Sequence, residues 1–155
     1  LESANYAPTH KLTQPWRLTV LTGKAKSKLG VALGEIYKAT VPAEKFLQKK
    51  FDSFAQKTDQ AACILAINIK FSGKLPDWEE IAATACAVQN MALPAEALSI
   101  GAYWSSPPLI SGLGEFLGLK EDEKCYGLFY MGYHNNEAGT ANRTPMSEKV
   151  TWMRD

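Results

Sequence analysis

Apolar positions recur along this chain with two periods, and the change from one to the other marks out its elements. Leu29, Ala32, Leu33 and Ile36 share the spacing of one helical face, which predicts a helix over residues 27–39. Phe46, Leu47, Phe51 and Phe54 mark a second amphipathic helix, with Pro42 at a position that a first helical turn tolerates. Residues 60–69 are β-branched and almost uniformly apolar, the pattern of a central strand buried on both faces. Pro76 and Asp77 open the longest helical pattern, carried by Ile81, Ala85, Val88 and Ala92. Pro94 interrupts that pattern. An interior proline costs on the order of 3 kcal/mol and predicts a kink. Ser99-Ile100-Gly101 ends the helix. Residues 17–21, 102–104 and 124–131 read as further strands, 109–117 as a short helix and 135–142 as a polar loop. Helices set between strands that are not sequential partners imply a mixed sheet covered on both faces.

Composition narrows the class. At 155 residues, with no internal repeat or linker, the chain reads as a single domain over residues 1–155. Its net charge of +1 implies neither a nucleic-acid nor a membrane partner. Two lysine clusters, Lys24, Lys26, Lys28 and Lys45, Lys49, Lys50, read as solvated helix faces. The longest apolar run, residues 61–69, is too short to cross a bilayer, and no signal or lipidation motif is visible; a cytoplasmic location is the expectation. Cys63, Cys86 and Cys125 lie far apart, without a Cys-x-x-Cys or a histidine partner. They support neither a disulfide framework nor zinc and are expected to be buried thiols.

The stretch Tyr6-Ala7-Pro8-Thr9-His10-Lys11-Leu12-Thr13-Gln14-Pro15-Trp16-Arg17 holds the densest candidate chemistry. Each proline biases its predecessor away from the α region, so the segment reads as a rigid, extended loop feeding a strand, with its polar side chains held in fixed directions. A second cluster, Trp104-Ser105-Ser106-Pro107-Pro108, offers two hydroxyls and free amides to an anionic or carbonyl edge; Ser106 equally suits a helix N-cap. Gly112-Leu113-Gly114-Glu115-Phe116-Leu117-Gly118 has its third glycine one residue late for a dinucleotide loop. No nucleophile elbow, metal-ligand cluster or carboxylate pair stands out, so no catalytic side chain and no metal site are expected.

Ala7-Pro8-Thr9-His10 followed by Gln14-Pro15-Trp16-Arg17 resembles the signature near the start of the nitroreductase family of FMN-dependent oxidoreductases, and in particular its short, minimal branch. Two more blocks fit in family order: residues 87–93 through 99–106, and residues 126–133, followed by Arg143 and a Val150-Thr151-Trp152 tail. The resemblance implies an α+β three-layer sandwich, with a mixed or antiparallel sheet flanked by helices. It implies an interlocked homodimer with FMN at the interface, the tail reaching onto the partner, and NADH or NADPH as electron donor. A small-molecule acceptor, nitroaromatic or quinone-like, would then be reduced by a ping-pong route. The cofactor carries such chemistry, and protein groups position and tune it. By resemblance the flavin contacts are Tyr6, His10, Trp104, Ser105, Ser106 and Arg143. Tyr6 stands where relatives often have a basic residue, and Leu12 where larger relatives have an asparagine. The family's Arg-Arg-Ser phosphate segment is expected ahead of Leu1, outside this chain. A flavin-binding storage or regulatory protein without turnover is the alternative.

Overall fold

The computed structural model describes residues 1–135, 139 and 142–154. Strand β1 (Trp16–Leu21) leads into helix α1 (Lys24–Thr40) and helix α2 (Gln48–Gln60). Strand β2 (Cys63–Lys70), helix α3 (Asp77–Ala97), strand β3 (Gly101–Ser105), the one-turn helix α4 (Gly114–Leu117) and strand β4 (Glu123–Gly132) follow. The strands form one sheet in the order β1-β2-β4-β3, and every pairing is antiparallel. β2 and β3, each antiparallel to β4, run parallel to one another on either side of it, so the chain must cross the sheet between them, and α3 supplies that crossing.

The alternation of β2 divides the core in two. Leu65 and Ile67 face α3, where Ala83, Ala87, Val88 and Met91 cover them together with Ala4, Ala7, Trp16 and Phe129. Ile64 and Ala66 face Leu29 and Leu33 of α1, along with Ile110, Leu113, Leu128 and Tyr130. β2 is thus apolar on both faces because helices lie on both, giving the expected α+β three-layer sandwich. α1 and α2 approach closely at Gly30, where a Cβ would strike Thr58 Oγ1 and lie 2.9 Å from the Ala55 Cα. The Thr58 hydroxyl is buried there, donating within α2 to the Phe54 and Ala55 carbonyls at 3.1 and 3.0 Å.

Several local expectations are corrected. Residues 6–17 are not extended. Two 3-10 turns, Glu2–Tyr6 and His10–Leu12, occupy this region, and Lys11, Leu12 and Gln14 take positive φ of 48°, 53° and 43°. The cause is a side-chain clasp: the Gln14 amide donates to Thr9 Oγ1 at 3.0 Å, and the Thr9 and Thr13 hydroxyls meet at 3.3 Å, curling the chain between the prolines. Pro42 caps a separate 3-10 turn, Ala43–Lys45, so α2 begins later, at Gln48. α3 continues through Pro94 to Ala97; the lost amide donor falls in the last turn, where the end of the helix limits its cost. Residues 109–117 split into the 3-10 helix Pro108–Leu113 and α4. Cys86 is exposed, whereas Cys63 and Cys125 are half-buried and burial pushes both thiols up. The polar loop expected over 135–142 falls largely outside the described residues.

Tyr103 and Tyr130 stack across β3 and β4 with ring centroids 5.1 Å apart. Burial, and to a lesser degree Tyr103, push the Tyr130 phenol up to about 12. An acid whose folded pKa exceeds its unfolded value of about 10 contributes stability that is complete below that value and is lost as pH rises toward the folded one. Unfolding titrations are therefore expected to show stability falling between about pH 10 and 12, with a shallower fall in Tyr130→Phe. Equal slopes in the two proteins would contradict the assignment.

Candidate functional site

Helix α3 begins with no side-chain cap at Pro76, and its first turn carries Asp77, Glu79 and Glu80. Carboxylates there are favoured by the unpaired amides and the helix dipole. At ~100° per residue, Glu79 points well away from Asp77 and is about 100° from Glu80. Glu80, only 1% exposed, points inward and accepts from the Ser72 amide at 3.0 and 3.3 Å, fixing the turn between β2 and α3. Glu79 meets His10 Nδ1 at 2.6 Å. Asp77, after burial, helps to raise the phenol of Tyr126. One helical turn thus ties together the 9–14 loop and the 71–76 turn.

The β4 side of this site is built on a bulge. Ile67 pairs with Gly127 and Asn68 with Cys125, leaving Tyr126 as the extra residue. The Tyr126 carbonyl, displaced from the ladder, accepts the indole Nε1 of Trp104 at 3.2 Å. Gly127 has φ +155°, and a Cβ on it would collide with the Trp104 indole and come within 2.9 Å of the Ser105 carbonyl. Trp104 is therefore an indole wall on the α3 face with its side-chain donor already engaged.

His10, Trp104, Ser105 and Ser106 all lie toward the sheet end where β1 starts, β3 finishes and α3 begins. His10 lines a hollow of about 400 Å3 with Pro8, Thr9, Trp78, Glu79 and Cys86. Ser105 is half-buried and Ser106 exposed, and neither hydroxyl has a hydrogen-bond partner among the described residues. Ser106 does not cap the following helix; Pro107 holds that position without a side-chain bond. Tyr6 closes the first 3-10 turn and is 80% exposed, four residues before His10. Arg143 is exposed beyond β4, its Nη1 donating to the Asn142 carbonyl at 3.3 Å. None of the five candidates other than His10 lines the hollow beside it, and the bond made by Arg143 stays within its own segment. Farther along α3, Val20, Cys63, Met91, Pro94, Leu98 and Met131 line an apolar groove of about 460 Å3.

Glu79, Tyr126 and Gly127 were not singled out from the sequence. The acid-rich start of α3 was a visible signal for the first. The bulge that gives the other two their roles appears only once β2 and β4 are in register.

A four-stranded antiparallel sheet between helical layers defines an α+β sandwich. The chain belongs to the nitroreductase family, whose model matches residues 1–133. It is 25% identical over 157 residues to YfhC of Bacillus subtilis, provisionally named an NAD(P)H nitroreductase, covering 99% of this chain and 80% of that protein. Among solved structures it is similar to a nitroreductase-like family protein from Bacillus cereus, with a TM-score of 0.79 at 22% identity over 98% of this chain and 80% of the other. It is also similar to the FMN-dependent nitroreductase NfnB of Mycobacterium smegmatis, solved with NADPH, with a TM-score of 0.73 at 17% identity over 99% of this chain and 85% of that one.

Gly127→Ala is expected to lower stability by about 1–3 kcal/mol by overpacking the Trp104 indole, read as a lower urea midpoint with an altered near-ultraviolet dichroism signal. An unchanged midpoint and spectrum would mean that the indole has room to move aside.

Proposed function

We propose that this chain binds FMN at the sheet end marked by His10, Trp104, Ser105 and Ser106 and works as an NAD(P)H-dependent flavin oxidoreductase. The observation that carries the reading is the family match over residues 1–133, supported by the position of His10 beside the start of α3 and of Trp104, Ser105 and Ser106 at and just after the end of β3. The donor set fits an oxygen-rich cofactor tail. The Ser105 and Ser106 hydroxyls have no protein partner among the described residues, His10 uses only Nδ1, and Trp104 offers an apolar edge. Tyr6 adds a neutral phenol next to this set, and Arg143 a guanidinium suited to a phosphate.

When bound, FMN supplies the redox chemistry, taking a hydride from NADH or NADPH and passing electrons to a nitroaromatic or quinone-like acceptor. The protein's part is to bind and orient. Ser105 and Ser106, on stiff backbone ahead of Pro107 and Pro108, present their hydroxyls without a large loss of loop entropy. Donor and acceptor use the same site in turn, which makes the kinetics ping-pong. A second copy of the chain completes the site. Leu93, Leu98, Tyr103, Trp152 and Met153 are all exposed, an apolar surface suited to an intersubunit contact.

Titration with FMN is expected to yield a yellow dimer that oxidises NADH or NADPH when an acceptor is added, with parallel double-reciprocal lines. Bound flavin that nicotinamide does not reduce would identify a storage or regulatory flavoprotein instead. A protein that stays colourless in saturating FMN would overturn the reading.

A further inference from the structure

We propose that a second hollow, at the sheet end remote from Ser105 and Ser106, binds a small aromatic carboxylate, with its ring among Tyr103, Tyr133 and His134 and its acid group on the Tyr130 hydroxyl and the Lys57 ammonium. This site is separate from the one proposed for FMN. It lies where β3 begins and β4 ends, whereas Ser105 closes β3 at the other end.

The hollow has a volume of about 520 Å3. Lys57 and Gln60 frame it from the last turn of α2, Tyr103 from β3, and Tyr130, Tyr133 and His134 from the end of β4 and the chain beyond. Tyr103 and Tyr130 are directly opposed across the two strands, so both side chains leave the sheet on its α1 face. Their rings stack within 7° of parallel. Tyr103 is still 53% exposed and keeps ring surface for a further aromatic group. A Cβ on Gly101 would strike the His134 ring, which is therefore seated against the backbone and forms another flat wall.

Tyr130 shows what the hollow lacks. Its side chain is only 8% exposed, and a phenol so deeply buried ordinarily finds a hydrogen-bond partner. Its hydroxyl has none among the described residues, and the side chain lines the hollow. Burial, and then Tyr103, push this phenol up to about 12, so it keeps its proton and can donate. An acceptor would complete it. The neighbouring Lys57 makes no ion pair among the described residues, and no carboxylate there lines the hollow. Asp59, two residues along α2, accepts from Ser27 Oγ of α1 at 2.8 Å. The negative end of the α2 dipole opposes an anion, but Lys26 meets it by donating to the Asp59 and Ala61 carbonyls. One ammonium and one phenol match the single charge of a carboxylate, and the flat walls match a planar, apolar body.

The test is calorimetric titration of the full chain with benzoate, with benzamide and acetate as probes that lack the charge and the ring. Wild type is expected to bind benzoate saturably and the other two at least about tenfold more weakly. Tyr130→Phe, which keeps the ring, and Lys57→Gln, on an exposed helix surface, should each weaken benzoate by about tenfold. Tyr103→Leu should weaken it while leaving the preference for benzoate over benzamide. Saturating FMN should leave the benzoate affinity unchanged. Benzoate that FMN displaces, or that both Tyr130→Phe and Lys57→Gln leave as tightly bound, sits elsewhere and would overturn the proposal, as would absence of binding to wild type. Tyr103 also belongs to the apolar surface suited to a second copy. Benzoate affinity that falls as the protein is concentrated into a dimer would show that the second copy covers the hollow in place of an acid, and would overturn the proposal too.

Discussion

The first turn of α3 is the constraint on which the rest of the site depends. Asp77, Glu79 and Glu80 sit where backbone amides are unpaired and negative charge is favoured, and Glu79 and Glu80 each engage a different neighbour. Glu80 is the structural member. Its carboxylate is buried, and the Ser72 amide is the donor that offsets its desolvation. With the turn between β2 and α3 fixed in this way, the helix axis over Leu65 and Ile67 is set, and so is the position from which Glu79 reaches His10. Fold and site therefore share one anchor.

The 9–14 loop shows what that anchor permits. Three non-glycine residues at positive φ cost about 1–3 kcal/mol each when left unsupported. Here the Thr9 clasp, the Thr13 amide bonded to the His10 carbonyl at 3.3 Å, and the Glu79 contact hold the turn closed. Strain of this kind is placed during folding, when the hydrophobic contacts of Ala4, Ala7 and Trp16 against α3 supply the driving force. A ligand that meets the loop afterwards finds it already ordered and loses little entropy to it. The β4 bulge serves the opposite wall in the same manner. Tyr126 leaves the ladder, its carbonyl takes the indole of Trp104, and the wall is fixed before anything binds.

The sequence disclosed the elements and their layers more readily than the contacts between them. Periodicity located the long helices, because residues such as Leu29 and Leu33, or Val88, must meet a sheet face wherever that sheet lies. On α3 it set the stripe slightly off, since Ile81, Ala85 and Ala92 are half-buried and Ala83, Ala87 and Met91 are buried with Val88. It misjudged residues 6–17, where the prolines argued for extension and the Thr9 side chain imposed a curl instead; a backbone amide donating to a threonine hydroxyl five residues back leaves no periodic trace. Of the site, the motif residues were legible one by one. The link between His10 and Glu79 spans 69 positions and depends on the packing of α3, so neither residue alone announces the other. The engagement of Trp104 by Tyr126 likewise depends on a register shift that no local pattern encodes.

A chain with a net charge of +1 has no strong overall field with which to gather an anion, so affinity for one must come from local arrangement. Glu79 taken alone would repel an anion, but its Oε2 is engaged by His10 Nδ1 at 2.6 Å, and the ring is the more exposed of the pair. The negative charge favoured at the helix start is thus held against a neighbouring side chain.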